Sequence, residues 1–224
     1  AAPPAAAAGV ALVHKPGQVQ SNVVALLPGP PRSHPEFWKS NLLMSVFGGN
    51  DSLMYTRLRD DLGYVYSAGF YQTAKWQAGL LIGIIGCRGD KAGEAIVETV
   101  DIMKSLHHGL PARELDLKRL DTLNSFVFNV DTKAELVQAY SRYAMRQEPL
   151  DTLHRIQDAY FTSTGEELEQ IARRLLDPRN IQIVVVADKT TPVVQGGGRT
   201  ISLEEDLKAT AQKLGVPFQE IALR

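Results

Sequence analysis

Phe47 to Ala68 reads FGGNDSLMYTRLRDDLGYVYSA, and this stretch decides the fold. Gly48-Gly49 breaks one helical pattern, Ser52 is placed to open a short second helix to about Asp61, and Gly63 stops it. Tyr64 to Phe70 then has strand character, rich in aromatic and β-branched side chains. The chain thus turns from helix to strand within four residues. Arg57, Arg59, Tyr64 and Tyr66 lie on the two sides of that turn.

Working outward, Val10–Val13 and Ser21–Leu27 are two strand candidates, ended by Pro16-Gly17 and by the breaker run Pro28-Gly29-Pro30-Pro31. Ser33, Pro35 and Glu36 form an S-x-x-E pattern that predicts a capped helix start before Phe37-Trp38. Ala78 to Cys87 predicts a buried strand. Asp90 predicts the start of a helix to His108 with Ala92, Ala95, Ile96, Thr99, Ile102, Met103 and Leu106 inward. Gly109 stands where a left-handed C′ residue belongs. Helical patterns follow over Pro111–Phe128, Asp131–Arg146, Leu150–Tyr160 and Gly165–Leu176. Ile181–Ala187 is the clearest strand; Ser202 with Glu205 caps a last helix, and Phe218–Leu223 predicts a final strand.

Mixed strands and helices followed by a helical block do not make regular βαβ alternation. The fold class is therefore α+β, with about five or six strands in a mixed sheet and helices mainly on one face. Trp38, Leu42, Ile96, Ile102, Leu123, Phe126, Leu136, Ile183 and Val185 are expected in the core. Residues 1–9, AAPPAAAAG, read as an Ala/Pro linker or tail. Residues 10–224 read as one domain, and the linker suggests a junction in a longer polypeptide.

The 224 residues carry 24 basic and 25 acidic side chains, a formal net charge of -1. That balance argues against sequence-independent nucleic-acid binding, which needs a concentrated cationic face. The strongest apolar run, Ala78–Cys87, is about half the length that crosses a bilayer, so no membrane span is expected. A single cysteine, Cys87, makes no internal disulfide.

Known catalytic motifs are missing. No P-loop, G-x-S-x-G elbow, H-E-x-x-H or inverted form occurs, and Gly196-Gly197-Gly198 reads as a flexible loop. His107 and His108 diverge on a helix, while His154 with Asp151 and Asp158 is more often a solvated charged face than a ligand set. No metal site is expected.

The L-R-x-x-x-G pattern at Leu58-Arg59-Asp60-Asp61-Leu62-Gly63, followed by Tyr64-Val65-Tyr66, resembles the C-terminal-type domain of the M16 (pitrilysin/insulinase-like) zinc metallopeptidases. Pro16-Gly17-Gln18-Val19-Gln20 is similar to the family's P-G-x-x-Q stretch, and Pro35-Glu36-Phe37-Trp38 matches a family helix start. Asp51, Leu53 and Met54 depart from the usual pattern. The resemblance covers about Val10 to Ala187.

The resemblance implies the metal-free half of a two-part peptidase, inactive as an isolated chain. The partner half, in the same polypeptide or another, would carry H-x-x-E-H and zinc, giving a dimeric assembly acting on a peptide or protein. It also implies that an arginine and a tyrosine seven residues apart bind the substrate backbone and the developing oxyanion. Arg59 with Tyr66 fits the compact pattern and is the expected catalytic pair. Arg57 with Tyr64, at the same separation, is the alternative substrate-binding register. Export to the periplasm is the setting that family members with Ala/Pro linkers suggest. Two other functions compete: a non-catalytic scaffold of the same fold, and a domain that binds an extended peptide by strand addition without cleaving it.

Overall fold

The computed structural model describes residues 7–128 and 131–222, with the side chains of 125–128 outside the description. Among the described residues, eight strands and eight α-helices follow one another in the order β1 (Gly9–His14), β2 (Gln20–Gly29), α1 (Phe37–Gly48), α2 (Leu53–Tyr55), β3 (Val65–Ala74), β4 (Gly79–Arg88), α3 (Ala92–Ser105), α4 (Ala112–Phe128), α5 (Lys133–Met145), α6 (Thr152–Thr162), α7 (Gly165–Leu175), β5 (Gln182–Ala187), β6 (Pro192–Val194), β7 (Thr200–Ser202), α8 (Leu203–Leu214) and β8 (Phe218–Ile221).

Six strands form one mixed sheet in the order β3-β4-β2-β5-β1-β8. β2 is antiparallel to both β4 and β5, with Val23 opposite Ile85 on one side and Val185 on the other. β1 is parallel to both β5 and β8, so Val10 sits between Ile183 and Phe218. β6 and β7 make a separate hairpin around the triple-glycine loop.

Strand alternation sends one set of side chains into the helices. Val10, Leu12, Val23, Leu27, Leu81, Ile85, Ile183 and Val185 are buried there in one core with residues of α1, α3, α7 and α8. The opposite face is open: Tyr71, Leu80 and Ile84 are all exposed. In α3, Ala92, Ala95, Ile96, Thr99 and Met103 are buried as the spacing predicts.

Trp38, Ile102 and Leu123 pack against the core half-buried, and Leu42 and Ile96 are fully inside. The burial expected for Phe126 lies outside the described residues. Leu136 is a correction: it is 38% exposed, because α5 buries Ala139 and Tyr143 in a satellite cluster with Leu153 instead. The Ser33 cap is another. Helix α1 starts only at Phe37, and the Ser33 hydroxyl donates to the carbonyl of Trp76. Gly109 has φ 134 and ψ 151, an open glycine conformation rather than a left-handed cap. Ser202 and Glu205, by contrast, form the expected reciprocal capping box, and Gly215 ends α8 in the left-handed region.

Candidate functional site

The helix-to-strand turn starts with Ser52, whose hydroxyl oxygen accepts the Tyr55 N–H at 3.2 Å and caps α2. The chain then widens into a π-helix, Thr56–Asp61, closed by the Leu62 N–H donating to the Arg57 carbonyl at 3.2 Å. Met54 and Leu58 are fully buried and fix this segment on the core. Arg57, Arg59 and Asp60 consequently stand on the solvent side. Gly63, at φ 63, reverses the chain, and its N–H donates to the Arg59 carbonyl at 3.1 Å. The Tyr64 N–H reaches the Leu58 carbonyl at 2.9 Å, so strand β3 leaves directly from the helix end.

β3 carries a β-bulge at its first step. Val65 is opposite Cys87, and the next paired residue, Ser67, is opposite Gly86, which leaves Tyr66 as the extra residue. Val65 is buried, while Tyr66 and Ser67 both face solvent. The bulge turns Tyr66 outward, 55% exposed. Gly86 makes room for it, since a Cβ there would lie 2.9 Å from the Ser67 hydroxyl. Tyr64 precedes the strand, so Tyr64 and Tyr66 do not share a regular strand face.

The two arginine–tyrosine pairs have different surroundings. The Arg57 Nε donates to Glu98 at 3.1 Å, and its Nη1 lies 3.6 Å from Asp61. Glu98, first by hydrogen bond and then by charge, holds the Arg57 guanidinium above its ordinary pKa. Tyr64 is half-buried, and its phenol is pushed up chiefly by the neighbouring Glu94 carboxylate and by burial. The Lys91 ammonium sits 5.1 Å from the Tyr64 ring centroid. Arg57 and Tyr64 are thus part of a local charge network with α3.

Arg59 makes no ion pair among the described residues. Its guanidinium lies 5.2 Å from the Tyr55 ring centroid, and Nη1 donates to the Tyr55 hydroxyl. No hydrogen bond joins Arg59 to Tyr66 among the described residues; both are exposed on the two flanks of the Gly63 turn. Tyr55 is the neighbour that sequence reading misses. The Tyr55–Arg59 spacing of one helical turn is the signal that could have found it.

Among the described residues, no three His, Cys, Asp or Glu side chains are grouped to hold a metal ion. The His107 ring nitrogen bonds the Leu176 carbonyl at 3.1 Å, and Asp151 is engaged by Arg155 at 2.9 Å. The donor set of the described residues therefore does not fit a zinc centre. No helix among the described residues is long and apolar enough to cross a membrane.

Residues 2–120 match the family described as the peptidase M16 inactive domain. The chain belongs to that family. Solved structures repeat its fold. The peptidase M16 inactive domain from Pseudomonas fluorescens is 17% identical, with a TM-score of 0.74 over 81% of this chain and 44% of its own. A protease from Helicobacter pylori is 19% identical, with a TM-score of 0.75 over 83% of this chain and 45% of its own. The inactive peptidase domain from Bordetella parapertussis is 14% identical, with a TM-score of 0.64 over 77% of this chain and 92% of its own. This M16 domain spans less than half the length of the first two chains. No curated protein matches the sequence.

Proposed function

We propose that this M16 inactive domain is the substrate-binding half of a zinc peptidase, and that Arg59 and Tyr66 are the residues that touch substrate. The observation that carries the reading is the contrast between the pairs. Arg57 is held by Glu98 and Asp61 and Tyr64 stands beside Glu94, whereas Arg59 makes no ion pair among the described residues, donates one N–H to the Tyr55 hydroxyl, and is exposed like Tyr66.

Peptide-bond hydrolysis builds negative charge on the former carbonyl oxygen. A guanidinium, always protonated, and a phenol O–H can both donate to that oxygen without losing a proton. Each such donor is worth on the order of 3 kcal/mol of transition-state stabilisation. The π-helix sets the arginine and the bulge sets the tyrosine, each on a backbone irregularity that frequently marks functional positions. Tyr55 holds the Arg59 side chain by its ring and hydroxyl, which limits the freedom lost on binding.

In this reading, 10–224 is the C-terminal-type unit and the Ala/Pro stretch 1–9 leads into it. Zinc belongs to a partner half, in the same polypeptide or a separate subunit, and the assembly is dimeric. The test is reconstitution with a zinc-bearing M16 half and a fluorogenic peptide. Tyr66→Phe should lower kcat by roughly 10²–10³-fold. A scaffold role is the conclusion if neither arginine–tyrosine pair affects turnover in the zinc-loaded assembly.

A further inference from the structure

An open cleft of about 570 Å³ lies at the far end of β3 from Tyr66, between that strand's last residues, α1 and the turn joining α5 to α6. Its walls carry three cations, Arg32, Lys75 and Arg146, against one carboxylate, Glu148. That carboxylate is already used. Its side chain is 3% exposed and takes a two-pronged grip from Arg32, at 2.8 and 3.1 Å. Arg32 is itself fixed over two rings, 4.8 Å from the Phe37 centroid and 4.2 Å from that of Trp38.

The remaining cations face the cleft with little to neutralise them. Lys75 is exposed and makes no ion pair among the described residues. Arg146 is 56% exposed, and its nearest carboxylate, at 4.0 Å, is the occupied Glu148. Beside them stand two apolar groups left open, Trp76 at 39% and Met145 at 85% exposure. Methionine is the adaptable side chain of binding surfaces that take varied apolar partners.

The turn that presents Met145 and Arg146 is built rigidly. The Glu148 N–H returns to the Tyr143 carbonyl at 2.9 Å, closing the end of α5 through Gln147 at φ 57. Glycine would suit that position without strain, yet a glutamine lines the cleft there.

We propose that this cleft binds an acidic peptide segment, its carboxylates on Lys75 and Arg146 and an adjoining apolar side chain against Trp76 and Met145. Charge complementarity selects the occupant: Glu148, the one carboxylate among the cleft's lining residues, is paired within the fold, so the surface that meets solvent is cationic with two exposed apolar side chains beside it. The site is separate from Arg59 and Tyr66 and does not depend on their role.

The test is fluorescence anisotropy of the protein with a labelled peptide of alternating Glu and Leu, and with the same peptide carrying Gln for Glu. The Glu peptide should bind, more weakly as salt rises, and the Gln peptide should not. The double variant Lys75→Gln/Arg146→Gln should weaken binding by roughly fivefold or more, with an unchanged thermal melt because both side chains are exposed. Lys213→Gln, which removes an exposed cation outside the cleft, should leave binding intact. Equal binding of the two peptides, undiminished binding by the double variant, or no binding of the Glu peptide would each overturn the proposal. Competition by acetate at equal molarity would also overturn it, by reducing the site to one for a simple carboxylate.

Discussion

Gly48 and Phe70 approach so closely that a Cβ on Gly48 would lie 2.2 Å from the Phe70 Cβ and 2.7 Å from its backbone. The last residue of α1 thus rests directly on β3, with Phe47 and Phe70 rings 5.1 Å apart beside it. This contact sets the position of the helix-to-strand turn that follows.

Gly48→Ala must separate α1 from β3 or distort both. Overpacking of this kind should cost about 2–3 kcal/mol, read as a lower urea midpoint with unchanged slope. Gly165→Ala is the control, because nothing lies within 4 Å of its added Cβ. It should leave the midpoint unchanged or slightly raised, and an equal loss at both sites would show that the contact is not the cause.

The register of the arginine–tyrosine pair is separable by four substitutions in the reconstituted peptidase. Tyr66→Phe and Arg59→Lys should damage turnover, the second because a point charge does not reproduce the guanidinium fork. Arg57→Lys and Tyr64→Phe should be near wild type in kcat. Loss at the second pair with Tyr66→Phe unaffected would move the site to the other register.

Two carboxylates should shape stability against pH with opposite signs. Asp188 is held down to about 2 by the Gly17 N–H and by the Thr190 hydroxyl and amide. Its folded value lies below the unfolded one, so its contribution is present above the ordinary aspartate range and is lost as pH falls toward about 2. Asp206 is pushed up, chiefly by burial, so its contribution is present in acid and is lost as pH rises through its raised value. Asp188→Asn should reduce stability at neutral pH and flatten the acid limb of a melting-temperature profile. Asp206→Asn, whose amide oxygen can still accept from Gln195, should raise stability at neutral pH. The same direction from both variants would contradict this assignment.

Cys87 is fully buried, and burial pushes its thiol up to about 12. A disulfide reagent should titrate no thiol in the native protein and one after denaturation. Fast labelling of the native state would mean that β4 opens from β2 far more readily than its ten paired residues suggest.

The sequence is legible wherever the backbone is regular. The buried stripe of α3 and the strands around Val23, Ile85 and Val185 emerge from plain periodicity, as does the capping box at Ser202. Periodicity fails where the turn region departs from it. Arg57 and Arg59 stand on a π-helix and Tyr66 on a bulge, and neither irregularity has a marker in residue type. Local patterns also compete with tertiary contacts. Ser33-x-x-Glu36 satisfies the same rule as Ser202-x-x-Glu205, but Trp76 offers Ser33 a carbonyl and Arg174 engages Glu36 instead. Leu136 follows helical spacing, yet α5 packs on its Ala139–Tyr143 side.

The position of β1 between β5 and β8 also dictates an order of events during synthesis. Both partners of the first strand come from the far end of the chain, beginning at Gln182 and Phe218. A ribosome must therefore deliver the chain as far as β5 before β1 can pair on one side and as far as β8 before it can pair on the other, although the β2–β4 and β3–β4 pairs can close much earlier. Such long-range closure is slow, and until β5 arrives β2 offers nascent Val23 and Val24 along an unpaired edge. The protein's exposure to misassembly is concentrated in that interval.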